Sequence, residues 1–185
     1  MNWSDLYLDH FARHFGKPFD VERYRSESGE ALRLATYDQR FHKYRIYASV
    51  GLADHADRLR SIAEILLLSD DFRNDVKALF VNTLFFLLQR NIPLQKGIVL
   101  GGIEVSNAGF AEFYDKSALY LTVADGFAPG FDTLSRGAET GQVLQGIFVS
   151  WAEQDFIARK GADAFEQQYR AQDCDLCSLR RPSCV

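Results

Sequence analysis

Residues 62–68, Ile-Ala-Glu-Ile-Leu-Leu-Leu, constrain the fold more than any other stretch of this chain. In a strand successive side chains point to opposite faces, so a run that is apolar at nearly every position needs cover on both sides. That is a strand inside a sheet. The remaining residues must therefore supply helices or a second layer, and 185 residues with 47% hydrophobic content are enough for one core. A chain of that length buries about two-thirds of its unfolded surface in a single domain. One domain spanning residues 1–185 is predicted. The exception in the run is Glu64, a carboxylate that must find donors or a proton, because burying it unpaired costs several kcal/mol on the order-of-magnitude scale for ions. It reads either as a general acid or base with a raised pKa or as a structural partner of an Arg or a backbone turn. With no second catalytic group close in sequence, the structural reading is preferred.

The other elements follow from periodicity and caps. Trp3, Tyr7, Phe11 and Phe15 recur at four-residue spacing and predict a helix over residues 4–15, capped by Ser4 and stopped by Gly16 and Pro18. His10 and His14 share one face at metal-ligand spacing, but no Glu follows the first, so a solvated or edge-of-core pair is expected. Residues 20–30 are charged without pattern and read as a surface connection. Tyr44, Ile46, Ala48 and Val50 alternate with Arg45, Tyr47 and Ser49, predicting a half-buried strand that ends in the turn Gly51-Leu52-Ala53-Asp54. A long amphipathic helix is predicted over residues 71–90, then strands over 97–105, 118–124 and 143–149, with loops at 108–110 and 126–131. Ser150-Trp151-Ala152-Glu153 is a capping box, opening a helix over residues 154–169. The sum is a compact α+β fold.

Charge and motif content narrow the function. Twenty-five acidic residues against 21 basic ones give a net charge of -4, which argues against nucleic acid as a partner and suits a basic protein. The apolar stretch over residues 78–88 is interrupted by Asn82 and Thr83 and is far shorter than the roughly 20 residues a bilayer span needs. Met1-Asn2-Trp3-Ser4-Asp5 lacks the basic and apolar regions of a secretory signal, so a cytoplasmic location is expected. Cys174, Cys177 and Cys184 read first as reduced thiols; a Cys174/Cys177 disulfide or redox pair, or a metal site completed by a distant His, are the other readings. Gly101-Gly102 lacks the rest of a nucleotide loop, and no nucleophile elbow is present. A Cys nucleophile with His10, His14, His42 or His55, and a carboxylate pair drawn from Glu104, Glu112, Asp115 and Asp125, both lack any spacing that would join them. No cofactor is implied.

Several segments, in order, resemble the suppressor of fused domain. Residues 47–54, ending Gly51-Leu52-Ala53-Asp54, look like the family's GLSD/GMSD element, and Glu64 falls at its "EL" strand position. Residues 71–90 are similar to its central helix, Ile92-Pro93 to its approach to the next strand, Glu153 to its acidic helix start, and Arg181-Pro182-Ser183 to its RPS end. Gly51, Asp54, Glu64, Glu153, Arg181 and Pro182 are thus the residues of the fold signature, while residues 1–30 fall outside the resemblance. The resemblance implies a mixed β-sheet with helices packed on it, a suppressor of fused-like α/β sandwich of the short single-domain bacterial type, without a catalytic centre, whose function is to bind another protein. For such bacterial members it implies an immunity or antitoxin protein that neutralises a toxin, possible partners being basic nucleases. Tyr114, Asp115, Asp125, Phe127 and Phe131 are then the expected partner contacts, as aromatic anchors with polar neighbours. The alternative is a small enzyme or metal-dependent regulator using Glu64 or the C-terminal cysteines.

Overall fold

The computed structural model describes residues 2–38, 43–124 and 126–185, which leaves Asp125 and His42 outside the described residues. The apolar run forms β4 (Ala63–Ser69), a central strand of a mixed sheet. The order is β1 (Asp20–Arg25), β2 (Ala31–Tyr37), β3 (Arg45–Val50), β4, β8 (Glu139–Val149), β6 (Ala118–Val123) and β5 (Val99–Gly101). β4 and β8 run parallel, with Ala63 opposite Gln142 and Leu67 opposite Gly146; the remaining pairs are antiparallel. β8 is long enough to have two neighbours in succession on one side. Its first half pairs with β7 (Thr133–Arg136) and its second half with β6.

Both faces of the sheet are covered, as the apolar run demands. On one face α3 (Asn74–Arg90) lays Val76, Leu79, Phe80, Leu84, Leu87 and Leu88 against Tyr47, Ile65, Leu67, Leu121 and Leu144. On the other, α1 (Trp3–Phe15) sets Trp3, Tyr7, Phe11 and Phe15 over Ala35, Ile46, Ala48 and Leu66. That second face continues under α6 (Trp151–Lys160) and α7 (Ala162–Ala171), where Ile157, Phe165 and Tyr169 meet Ala118, Tyr120, Ile147 and Val149. Burying a Leu or Phe side chain contributes roughly 1.5–3 kcal/mol, so these two layers dominate the stability.

One close approach fixes the seat of α1. The Tyr7 hydroxyl donates to the Gln142 carbonyl at 2.8 Å, with the Ile62 carbonyl 3.1 Å away. It reaches both only because residue 141 is glycine: a Cβ there would fall inside contact with that hydroxyl and 3.1 Å from the Trp3 ring.

Several sequence expectations shift. Asn2, not Ser4, caps α1, its side chain accepting from the Asp5 amide at 2.8 Å, because the Ser4 hydroxyl and amide both donate to Asp54. Residues 20–25 form the edge strand β1 rather than a surface connection; an exposed edge strand can be charged at most positions and so hides its period. β3 is buried on both faces, with Tyr47 and Ser49 as enclosed as Ile46 and Ala48. The strand expected over 97–105 stops at Gly101, and Gly102 (φ 95°) turns the chain into α4 (Ile103–Ser106). The loop expected at 108–110 is the start of α5 (Ala108–Tyr114), capped by Asn107. Gly161 (φ 88°) divides the last long helix into α6 and α7.

Candidate functional site

The six signature residues fall in two knots, in which Gly51, Glu64, Glu153 and Arg181 are buried while Asp54 and Pro182 reach the surface. β3 and β4 stop pairing after Ala48 and Leu66, and the gap is closed by side chains. The Ser49 hydroxyl accepts from the Ile65 amide at 2.8 Å and donates to Glu64 at 2.6 Å. The other Glu64 oxygen accepts the Gly51 and Ala53 amides at 2.7 and 3.1 Å, holding the turn into a 3-10 segment over Leu52–His55 and then α2 (Ala56–Leu59). Gly51 sits at φ 129°, which favours glycine, and its Cβ would press within 3.1 Å of Leu32. Asp54, at the end of the same turn, receives Ser4 and so ties α1 to it. Burial pushes the Glu64 carboxyl up to about 7, although its donors pull the other way. No solvent reaches it, so a substrate would have no access to the one carboxylate that the enzyme reading relied on.

The second knot holds the C-terminal tail. Ser150 and Glu153 make the expected capping box, the Glu153 amide donating to Ser150 Oγ at 3.2 Å and the Ser150 amide to Glu153 at 2.8 Å. The same carboxylate takes Arg181 Nη1 at 2.5 Å and Nη2 at 3.0 Å, and the Cys184 amide at 2.9 Å. Arg181 also donates to the carbonyls of Phe148 and Pro182. Arg181 holds the Glu153 carboxyl below its usual range against the opposing effect of burial. Tail, helix start and sheet are therefore one unit.

The cysteines depart from expectation. Cys174 and Cys184 form a disulfide, with Cα atoms 6.4 Å apart, because the tail folds back over α7. Cys177 stays free, beside Gln145, and burial pushes its thiol up to about 12. Cys174 and Cys177 are thus not the pair, and among the described residues no His, Cys, Asp or Glu group is arranged to hold a metal.

Of the expected partner contacts, Phe131 is fully buried and Tyr114 nearly so. Phe131 lies against Phe11, Phe15 and His14, and its carbonyl faces His10 Nε2 at 2.8 Å. Phe127 is half-buried, with its ring 4.4 Å from that of Phe131. The loop is thus clamped by α1, because an aromatic loop beside an aromatic helix buries itself. Tyr114 turns inward onto Phe110, its hydroxyl between Asp71 and Arg73. Asp115 is exposed just past α5.

The exposed aromatic on that helix is the neighbouring Phe113, 56% exposed, with Arg73 and Arg180 each about 5 Å from its ring centre. α4 packs on α5 and carries Val105, 86% exposed, which rims a 380 Å³ apolar cleft with Phe86 of α3. Reading residues 108–114 as a helix would have found Phe113: Phe110, Ala111 and Tyr114 share the inner face at helical spacing and leave Phe113 outside.

No protein-family profile matches the sequence, and no curated protein matches it significantly. Solved structures do match the fold. A suppressor of fused homologue from Neisseria gonorrhoeae superposes with a TM-score of 0.77 at 10% identity, covering 99% of this chain and 97% of that one. A Sufu-Fu complex structure gives 0.65 at 13% identity, covering 97% and 91%, and Drosophila Suppressor of Fused gives 0.63 at 13%, covering 96% and 50%. The chain thus has the suppressor of fused fold, the mixed α/β sandwich that its sequence motifs imply, and spans half of the Drosophila chain. Among the described residues, no helix is long and apolar enough to cross a membrane.

Proposed function

We propose, with the suppressor of fused fold as premise, that this chain is a non-enzymatic protein-binding domain, acting inside the cell as an immunity protein that neutralises a toxin by direct contact. The observation that carries the reading is the set of exposed apolar side chains on α3, α4 and α5, with Phe86 and Val105 at one cleft and Phe113 beside Arg73 and Arg180. Aromatic and Arg side chains are enriched at protein interfaces. Two further facts support it. Glu64 is spent on the backbone of a turn, and burial pushes the Cys177 thiol up, so neither residue of the enzyme reading is set up as a base or nucleophile. One of the similar structures is itself a complex of Sufu with Fu. A net charge of -4 favours encounter with a basic toxin.

Co-expression with a toxin encoded beside this chain tests the reading. Relief of killing by the wild-type chain, lost on Phe113→Asp without a change in melting temperature, is the expected result. Killing that persists despite a folded wild-type chain refutes immunity against that toxin. Relief that survives Phe113→Asp and Val105→Asp together places the contact elsewhere and refutes these side chains as part of it.

A further inference from the structure

The cavity of about 600 Å³ between the start of α1, the β1–β2 hairpin and the Gly51–Asp54 turn has no part in the proposed contact. Its volume falls within the range of small-molecule sites, roughly 300–1,000 Å³. Arg23, Arg25 and Arg33 all line it. The strand register explains why they converge. Arg23 stands directly opposite Arg33, and Arg25 lies two residues on along β1, so all three guanidinium groups leave the same face of the hairpin. The opposite face is engaged elsewhere: Glu22 of β1 takes Lys77 of α3, and Leu32 and Leu34 enter the core.

Like charges directly opposed across two strands are destabilising. Arg23 faces Arg33 in this way while Arg25 stands opposite Ala31, and among the described residues no carboxylate pairs with Arg23 or Arg25. Two acidic residues line the cavity, and both are used: Asp5 pairs with Arg33 at 3.4 Å, and Asp54 receives the amide and hydroxyl of Ser4. Arg23 and Arg25 take no ion pair among the described residues, and both are exposed. A cluster of unneutralised guanidinium groups in a concave site, on a protein whose net charge is -4, is a local reversal of sign. Guanidinium is planar, permanently charged, and matches the oxygens of phosphate two at a time.

We infer that this cavity binds a small multivalent oxyanion of the phosphate class, held by Arg23 and Arg25 with Arg33 positioned behind them by Asp5. The inference is independent of the protein-binding reading, since it uses another face. Occupancy would relieve the Arg23–Arg33 repulsion, so binding and hairpin stability are coupled.

The test is calorimetric titration of the full chain at low ionic strength with inorganic pyrophosphate, and separately with a hexaglutamate peptide. Expected is saturable one-site binding of pyrophosphate, weakened at least about tenfold in Arg23→Ser/Arg25→Ser, as the loss of a charge-assisted bidentate contact implies. Arg159→Ser, on α6 at the β6–β8 end of the sheet, should bind as wild type, and the melting temperature of free Arg23→Ser/Arg25→Ser should not fall. No binding by wild type, equal binding by the double variant, or equal weakening by Arg159→Ser overturns the inference. Binding of hexaglutamate without pyrophosphate overturns the small-anion form and makes the cavity a docking point for an acidic peptide.

Discussion

Replacing Glu64 by Gln isolates the cost of keeping a carboxylate inside the sheet. The folded state raises this group from 4.5 to about 7, burial being the largest cause. Because the folded pKa is the higher one, the native protein holds a proton that the unfolded chain has already released. The resulting stability is fully present below pH ~4.5 and is lost as pH rises through about 7. At about 1.4 kcal/mol per pKa unit, the loss between pH 5 and pH 8 comes to about 2–3 kcal/mol. Gln keeps the oxygen that accepts Gly51 and Ala53, and its amide can donate to Ser49, but it does not titrate. Urea unfolding of both proteins at pH 5, 6, 7 and 8 measures the difference directly. The wild type should lose about 2–3 kcal/mol relative to Glu64→Gln across that range. A difference that stays flat would show that the donors of the turn, rather than burial, set the protonation of Glu64.

Two further substitutions probe the knots and the seat of α1. Gly141→Ala should destabilise by about 1–3 kcal/mol, the usual cost of overpacking, and by less in a Tyr7→Phe background, where the hydroxyl it strikes is gone; thermal melts of the four proteins read the coupling. Equal costs in both backgrounds would refute the contact. Arg181→Met leaves Glu153 buried with its guanidinium lost and should cost about 3–5 kcal/mol, whereas Glu153→Gln/Arg181→Met should cost less than Arg181→Met alone. A double variant that is the least stable of the set would refute the view that the isolated charge causes the loss.

Much of the architecture was legible because its signals are local. The capping box at Ser150 and Glu153 is a reciprocal pair of bonds three residues apart, and it forms as read. The stripe from Trp3 to Phe15 and the run at β4 likewise record burial in their spacing. Signals failed where the tertiary setting replaced the local rule. Ser4 looked like a cap but donates to Asp54, fifty residues away. Phe131 looked like a contact because Gly/Pro/aromatic loops are commonly exposed, but α1 supplies an aromatic surface that covers it. Phe113 was passed over because residues 108–110 read as loop.

By itself the sequence determined a sheet covered on both faces, the helices α1 and α3 and the capped start of α6, and an acidic chain with no recognisable catalytic motif, since periodicity, caps and charge are properties of neighbouring residues. Only the tertiary structure decided that Glu64 closes a turn, that Cys184 rather than Cys177 meets Cys174, and that Arg23, Arg25 and Arg33 share one cavity. Each of these depends on register or chain reversal, which places in contact residues whose spacing in sequence carries no mark of it.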